Sequence, residues 1–375
     1  MKFIGIDLGA SGTRYITEDG KIGLLPNNVA FIEDIEGRTD LQPYDSSVEQ
    51  ALEVTIKKDG DSPLFPAKLL MGTMAERYTS VNERPSVSNH KYKQRINYVS
   101  AIVAAAVARL KYELPAELEL KIAVPPVEIR QASKNFKEYL VGNYVVELPK
   151  YMGGATVKLN IKDVSCYEES FMAMVSYFFN LDGTVREDGK DFLTGNVLSL
   201  DIGASSTDLS VIKNGRYLDK SGQTYKTGGN VARDFVIDRI REEYGFDLPI
   251  NDAEKVMAEG RLQMGNGYVD IGNIVAEGKK ALASSIVSSM QSYFKKIDMP
   301  IQTMRAIVVS GGGSLQSQHI DDDNKIHKTS EPMSFYVTSE LQKICPGVLV
   351  NPYGDEARLA NIKGLFIRAK TEQMG

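Results

Sequence analysis

Residues 4–13 read IGIDLGASGT, and residues 198–207 read LSLDIGASST. Aspartate, glycine, alanine, serine and threonine recur in the same register, and in each copy a β-rich run leads into a small polar turn. Both copies then reach a second polar turn, Asp-Gly at residues 19–20 and Asn-Gly at residues 214–215. An internal repeat constrains a fold more tightly than local composition does. The repeat therefore predicts two α/β domains of the same plan, each opening with a β-meander.

The pattern outside the repeat predicts further helices and strands. Apolar residues at helical spacing indicate helices, and short apolar runs that end at glycine or proline indicate strands. On this basis we predict helices at residues 98–112, 128–139, 271–297 and 358–370, another after the Thr-Gly-Gly of residues 227–229, and strands at residues 69–71, 120–124 and 306–309. The polar segment 316–332 is predicted to be an exposed loop.

Length and charge limit the classes of protein to consider. The chain has 375 residues, 42% of them apolar and 25% charged, which is ordinary for a globular protein and long enough for two domains. Its net charge of −5 provides no uniform basic field for a phosphate backbone, so direct nucleic-acid binding is not expected. The local basic residues Lys91, Lys93 and Arg95 are interpreted as a solvated face without a function of their own.

Several other classes are disfavoured by residue usage. Cys166 and Cys345 lack any metal-binding or redox spacing, so we expect a reducing cytoplasm and no zinc or disulfide framework. No apolar run reaches the ~20 residues of a membrane span, and neither export nor membrane attachment is expected. The three histidines, His90, His319 and His327, lie in polar segments and are predicted to be surface residues.

The two repeat turns have the composition of phosphate-binding loops. A phosphate chain needs backbone N–H donors at close range, and glycine and serine in a tight turn provide them. We expect Asp7 and Asp201, at the ends of the leading strands, to face the same phosphates and to bind Mg²⁺ through water. One such turn alone is usually only a turn. A third glycine-rich turn, SGGGS at residues 310–314, follows a buried strand and is predicted to flank the base and ribose.

These motifs, in this order, resemble those of the actin superfamily, which includes actin, heat-shock chaperone ATPases and sugar kinases. The resemblance implies an α/β, actin-like (ribonuclease H-like duplicated) two-domain fold with a nucleotide cleft between the domains. It implies a first domain at residues 1–165, to which the helix at 350–375 returns, and a second domain at residues 166–349. The implied nucleotide-binding residues are Gly9, Ser11, Gly12, Thr13 and Arg14 in the first loop, Gly203, Ser205, Ser206, Thr207 and Asp208 in the second, and Gly311, Gly312 and Gly313 in the third turn. Arg14 stands where actin has a phosphate-binding lysine.

Three further assignments follow with the site. Gly228 and Gly229 precede a helix, and since helix N-termini attract anions we expect them to contact the nucleotide. Lys255 lies in the region that reaches the adenosine in relatives. Glu169, in the stretch CYEESFMAM, is similar to the glutamate that positions the attacking water in the family, with Glu168 as its competitor. Asp7, Asp201 and Glu169 are thus the predicted catalytic residues.

Within the superfamily the chain resembles the ParM-like bacterial actins. The segments that carry this resemblance are NHKYKQ, KIAVPPVE, EES and DEARLANIKGLFI. It implies hydrolysis of ATP, with GTP as the alternative nucleotide, coupled to assembly of a filament from copies of this chain. It also implies a DNA-bound adaptor protein through which the filament segregates plasmid DNA without touching it. A sugar or small-acid kinase and a non-polymerising ATP-binding scaffold remain as alternatives.

Overall fold

The computed structural model describes residues 2–10, 12–35, 49–78, 82–83, 85, 90–320, 325–354 and 356–374. The chain forms two compact units, Met1–Thr184 with Asn361–Gly375, and Val185–Ala360. Each unit has a β-sheet and a buried apolar core of its own. Within these described parts of the chain, none of the helices combines the length and the apolar character that crossing a membrane requires.

The first unit is built on a mixed sheet. Its strands are β1 (Lys2–Gly9), β2 (Gly12–Thr17), β3 (Ile22–Leu25), β4 (Val29–Phe31), β5 (Ala51–Lys58), β6 (Ala67–Gly72), β7 (Asn82–Glu83), β8 (Glu117–Val124), β9 (Gly142–Leu148) and β10 (Ala155–Glu168). Its helices are α1 (Arg95–Lys111), α2 (Ile129–Leu140) and α3 (Glu169–Phe178). The strand order is β3-β2-β1-β8-β10-β9-β5-β6-β4-β7, with β1, β8 and β10 parallel to one another. Residues 3–8 of β1 are all buried, as expected of a central parallel strand that is covered on both faces.

The second unit has a smaller mixed sheet and two hairpins. Its strands are β11 (Asn196–Ile202), β12 (Thr207–Lys213), β13 (Arg216–Tyr217), β14 (Gln223–Tyr225), β15 (Arg261–Met264), β16 (Gly267–Asp270), β17 (Met304–Ser310), β18 (Ser317–Ile320), β19 (Ile326–Ser330) and β20 (Leu349–Pro352). Its helices are α4 (Glu187–Lys190), α5 (Gly229–Tyr244), α6 (Ile250–Glu259), α7 (Gly272–Lys296) and α8 (Met333–Leu341). The sheet order is β13-β12-β11-β17-β20, and β14 also pairs with β12.

The final helix, α9 (Ala360–Met374), begins at the boundary between the units and from Asn361 onward belongs to the first. Its Phe366 ring lies 6.0 Å from the ring of Phe3 on β1. The helix is therefore part of the core of the first unit, as its apolar spacing predicts.

The two sheets share one plan, and this confirms the duplication that the repeat predicts. In the first unit β3-β2-β1 is an antiparallel meander, and β8 and β10 follow it in parallel. In the second unit β13-β12-β11 is the meander, and β17 and β20 follow it in parallel. Since the carboxyl ends of parallel strands lie at one edge of a sheet, this plan brings the ends of β1, β8 and β10 together.

One segment differs from its prediction. Within the predicted exposed loop at 316–332, the described residues 317–320 and 326–330 pair as the antiparallel hairpin of β18 and β19, and both Ser317 and Ser330 are buried. The two strands are short and mostly polar, so their sequence lacks the apolar alternation by which a strand is usually recognised.

Candidate functional site

The first repeat turn is a hairpin whose buried carboxylate faces a guanidinium. Asp7 on β1 pairs with Arg14 on β2, and Asp7 is only 6% exposed. The Asp7 Oδ2 atom lies 3.7 Å from Arg14 Nη1. A buried carboxylate is costly unless a positive group compensates its charge, and here the opposite strand supplies that group. The hairpin therefore places one negative and one positive side chain beside the turn.

The backbone of this turn is held by a polar side chain that the sequence patterns do not reveal. Asn27 Nδ2 donates a hydrogen bond of 2.6 Å to the carbonyl oxygen of Gly9. Ser100 Oγ, on α1, donates in turn to Asn27 Oδ1 at 2.9 Å. Asn27 and Ser100 are both buried, so the turn is anchored to the helix behind it. Of the predicted first-loop residues, Gly12, Thr13 and Arg14 lie on β2, while Ser11 lies outside the described residues.

The second repeat turn has a different charge arrangement. Asp201 on β11 pairs directly with Asp208 on β12, and the two residues are 5% and 3% exposed. Ser310 Oγ donates a hydrogen bond of 3.2 Å to Asp201 Oδ1, and Thr224 Oγ1 donates one of 2.5 Å to Asp208 Oδ1. Directly opposed residues on antiparallel strands have their side chains on one face, so this hairpin places two acidic side chains on the same face.

The turn before α5 packs against the second repeat turn. The N–H of Gly229 donates to the carbonyl of Gly203 at 2.9 Å, and the N–H of Asn230 donates to the carbonyl of Ala204 at 2.6 Å. A Cβ atom on Gly228 would lie 2.6 Å from the backbone nitrogen of Ser206, so only glycine fits there. The start of α5 thus supports the loop through its first N–H groups.

The third glycine-rich turn joins the same cluster. Gly311 has φ of +85°, and a Cβ atom there would lie 2.5 Å from Asp201 Oδ1 and 2.4 Å from the carbonyl oxygen of Ile202. Both the backbone conformation and the close approach therefore require glycine. In the second unit the structure thus brings together the predicted residues of the second loop, the turn before α5 and the third turn, at residues 203–208, 228–229 and 311–313.

A buried lysine fixes the segment that follows the third turn. Lys279 Nζ, on α7, donates to the carbonyl oxygens of Leu315 and Glu331 at 2.9 and 3.0 Å. It also donates to the hydroxyls of Ser317 and Ser330 at 3.2 and 2.8 Å. Burial lowers the pKa of Lys279 to about 8. Neither composition nor spacing singles this lysine out, because its acceptors come from segments remote from α7.

Glu169 is buried at the first position of α3 and is only 6% exposed. It forms an ion pair with Lys91. The prediction that Lys91 belongs to a solvated basic face is therefore wrong. Through the parallel register, Asp7 lies beside Ala123 on β8, and Ala123 lies beside Tyr167 on β10. Two strand spacings amount to about 10 Å, so Glu169 begins its helix at the same sheet edge as Asp7. Glu168 is less buried and precedes the helix.

Lys255 is placed differently from the other predicted residues. It lies on α6, its side chain is 78% exposed, and its ammonium is 4.0 Å from the carboxylate of Glu259. No hydrogen bond or ion pair found among the described residues links Lys255 to the glycine-rich turns.

The acidic side chains at the glycine-rich turns suit a hydrated Mg²⁺ better than a fully coordinated one. No group of three or more histidine, cysteine or acidic residues converges in the described parts of the chain, so these side chains form no complete cage. A hydrated Mg²⁺ needs only one or two carboxylates together with phosphate oxygens and water. The carboxylates of Asp201 and Asp208, which belong to directly opposed residues, fit that mode of binding.

Two family models match the chain, one in each repeat. Actin like proteins N terminal domain matches residues 5–171, and archaeal actin homologue MreB-like, C-terminal matches residues 199–321. Among proteins of curated function, none matches the sequence.

Solved structures of actin-like proteins share the fold at low sequence identity. The crystal structure of actin-like protein Alp7A matches with a TM-score of 0.74 at 18% identity, over 99% of this chain and 96% of that chain. Ta0583, an archaeal actin homolog, in complex with ADP, matches with a TM-score of 0.68 at 17% identity, over 99% of this chain and 100% of that chain. Bacillus thuringiensis ParM with ATP matches with 0.69 at 16%, over 100% of both chains.

The predicted actin-like fold and the predicted resemblance to bacterial actins are therefore confirmed. Each family model spans one copy of the repeated hairpin, and the structural matches span nearly the whole chain. This chain has the actin-like fold, and models of actin homologues match it over residues 5–171 and 199–321.

Proposed function

We propose that the chain binds ATP with Mg²⁺ and hydrolyses it. The observation that carries the proposal is the cluster of glycine-rich segments near Asp201, in which the turns at residues 228–229 and 311–313 both pack against the second repeat turn at residues 201–206. Such turns bring backbone N–H groups and small side chains close to an anion. Ta0583 with ADP and ParM with ATP, which share the fold, support the choice of a nucleotide as the anion, with GTP as the alternative.

The acidic residues have separate roles in this proposal. Asp201 and Asp208 would hold Mg²⁺ through water, and Asp7 is proposed as a further metal-binding carboxylate. When bound, Mg²⁺ neutralises charge on the phosphates. Arg14, whose guanidinium is mostly buried, donates to a phosphate group through its planar fork.

Glu169 orients the water that attacks the γ-phosphate. Its support is its burial at the sheet edge where Asp7 also lies. Phosphoryl transfer is catalysed mainly by positioning and electrostatic stabilisation, so a fixed carboxylate near the reacting group is sufficient for this role.

Assembly and cellular role are proposed from the fold and the sequence resemblance together. ATP binding favours addition of copies of this chain to a filament, and hydrolysis favours their release, which requires assembly and nucleotide to stabilise the same conformation. A DNA-bound adaptor protein links the filament to plasmid DNA in the cytoplasm. The net charge of −5 supports an adaptor, since direct binding to DNA would require a basic surface.

Nucleotide binding, turnover and assembly are tested separately. Calorimetry measures Mg-ATP affinity, phosphate release measures hydrolysis, and light scattering with negative-stain microscopy measures assembly. We expect Asp201→Asn to weaken Mg-ATP binding, and Glu169→Ala to assemble but to hydrolyse ATP about 100-fold more slowly. The Mg-ATP affinity of Lys255→Ala shows whether the exposed Lys255 side chain contributes to nucleotide binding. Failure of the parent protein to bind any nucleoside triphosphate would refute the proposal.

The kinase alternative is distinguished by its product. A kinase consumes ATP faster when its sugar or small-acid acceptor is added, and yields a phosphorylated acceptor in equal amount. A panel of such acceptors should leave turnover unchanged if the proposed function is right. A bound nucleotide without turnover or scattering would favour the non-polymerising scaffold instead.

A further inference from the structure

The backbone of Lys91 is fixed by two buried side chains of the first unit. Its N–H donates a hydrogen bond of 2.8 Å to Glu128 Oε2, and its carbonyl oxygen accepts one of 3.0 Å from Asn97 Nδ2. Glu128 is 7% exposed and Asn97 is fully buried. Glu128 also lies 3.3 Å from His90 Nδ1. The turn before α1 is therefore held in place by hydrogen bonds to Glu128 and Asn97.

From this fixed backbone the Lys91 side chain extends to Glu169. The ammonium forms an ion pair and hydrogen bond with Glu169 Oε1, and the two side chains are only 18% and 8% exposed. An ion pair largely withdrawn from water is directional, because each charged group loses its hydration and depends on its partner. Lys91 thus restricts the carboxylate of Glu169 to one orientation.

The neighbouring basic residues do not share this arrangement. Lys93 is exposed, and Arg95 pairs with Glu33 and lies 4.3 Å from the centre of the Phe31 ring. Of the three basic residues in this stretch, Lys91 is the one that contacts Glu169 among the described residues. Lys93 therefore provides a matched control.

We propose that Lys91 is a positioning residue for ATP hydrolysis, acting through Glu169. It holds the carboxylate in the orientation that binds the attacking water. Its positive charge also offsets the negative charge of Glu169, which would otherwise repel the triphosphate. The inference rests on the proposed function and adds to it a residue that acts through the carboxylate of Glu169.

A double-mutant cycle tests this role. The variants are Lys91→Met, Lys91→Gln, Lys91→Arg and Lys93→Met in the parent, and Lys91→Met in the Glu169→Gln background. We expect Lys91→Met to lower kcat by about tenfold or more with KM changed less than about threefold, the pattern of a group that acts in the transition state. Lys91→Arg should recover most of the loss, and Lys93→Met should leave kcat within about twofold of the parent.

The decisive comparison is within the Glu169→Gln background. If Lys91 acts through Glu169, Lys91→Met produces no further loss of kcat there, because the two effects are not additive. The inference would be overturned if Lys91→Met lowered kcat by the same factor in the Glu169→Gln background as in the parent. A parent-like kcat in Lys91→Met would also overturn it.

Folding defects are separated from catalytic ones by two measures. Thermal unfolding and nucleotide affinity are recorded for each variant, and Lys91→Gln, which removes the charge and shortens the side chain but keeps it polar, replaces Lys91→Met if the latter does not fold, with the same expected loss of kcat. A parent protein without turnover would overturn the proposed hydrolysis itself. A parent with turnover but additive losses would overturn only the role of Lys91.

Discussion

Asp201 lies directly opposite Asp208 in the second unit, at the place where the first unit has Asp7 opposite Arg14. The two hairpins have the same backbone plan and nearly the same turn sequence, yet one joins opposite charges and the other joins like charges. The first hairpin balances its own charge. The second places two acidic side chains on one face, and carboxylates are the ligands that Mg²⁺ prefers, which is the basis for proposing Mg²⁺ binding there.

Removing the charge of Asp208 should affect the free energy of unfolding and the affinity for Mg-ATP in opposite directions. We expect Asp208→Asn to raise the free energy of unfolding by about 0.5 kcal/mol without Mg²⁺, because it removes a like-charge pair and keeps an acceptor for Thr224. The same change should weaken Mg-ATP binding. Thermal unfolding and calorimetry measure the two effects. Lower stability without metal would show that the carboxylates are not in net repulsion.

The close approach at Gly228 should make that position intolerant of a side chain. A Cβ atom there meets the backbone of Ser205 and Ser206 at 2.6 to 2.7 Å, so Gly228→Ala forces the loop to move. We expect a loss of about 1–3 kcal/mol in the free energy of unfolding, with weaker nucleotide binding. Gly267→Ala is the control, since its Cβ would have no neighbour within 4 Å. Equal stability of both variants would contradict the packing described.

Asn27 should matter beyond its own hydrogen bonds. Asn27→Ala removes the donor to Gly9 and leaves the buried Ser100 hydroxyl without its acceptor. We expect Asn27→Ala to lower the free energy of unfolding by about 1–3 kcal/mol and to lower the affinity for Mg-ATP. Denaturant unfolding and calorimetry provide the measurements. The control Asn135→Ala removes an exposed hydrogen bond to Gln131 and should change neither quantity noticeably.

Lys279 should make stability depend on alkaline pH. Burial lowers its pKa from the ordinary 10.5 to about 8, so between these values the unfolded chain holds a proton that the folded chain has lost. The Lys279 contribution to the free energy of unfolding therefore rises with pH across that window, by at most about 1.4 kcal/mol per unit, and is constant below it.

The measurement compares urea unfolding of the parent and of Lys279→Met from pH 7 to 10. Lys280→Met, which removes an exposed neighbour on the same helix, is the control and should follow the parent. A constant difference between parent and Lys279→Met across the range would show that the folded ammonium does not titrate near 8.

Local pattern was sufficient for most of the architecture. The repeated hairpins were predicted from the self-similarity of two segments. The helices at residues 98–112 and 271–297, observed as α1 (Arg95–Lys111) and α7 (Gly272–Lys296), were predicted from the spacing of apolar residues. The hairpin of β18 and β19 was missed, since its short polar strands are defined by pairing with each other and by burial of Ser317 and Ser330. Propensity does not report on either property.

Some residues of the candidate site could also be predicted from the sequence, whereas the contacts between them could not. Asp7, Asp201 and the glycine-rich turns were identifiable from the chain alone, because a repeated strand and turn is a local pattern of residue types and spacing. The bonds of Ser310 to Asp201 and of Lys91 to Glu169 join residues 109 and 78 positions apart, and the opposition of Asp201 to Asp208 depends on strand register. Contacts of this kind leave no local periodicity, since folding creates them by bringing distant segments together, and only the tertiary structure decides them.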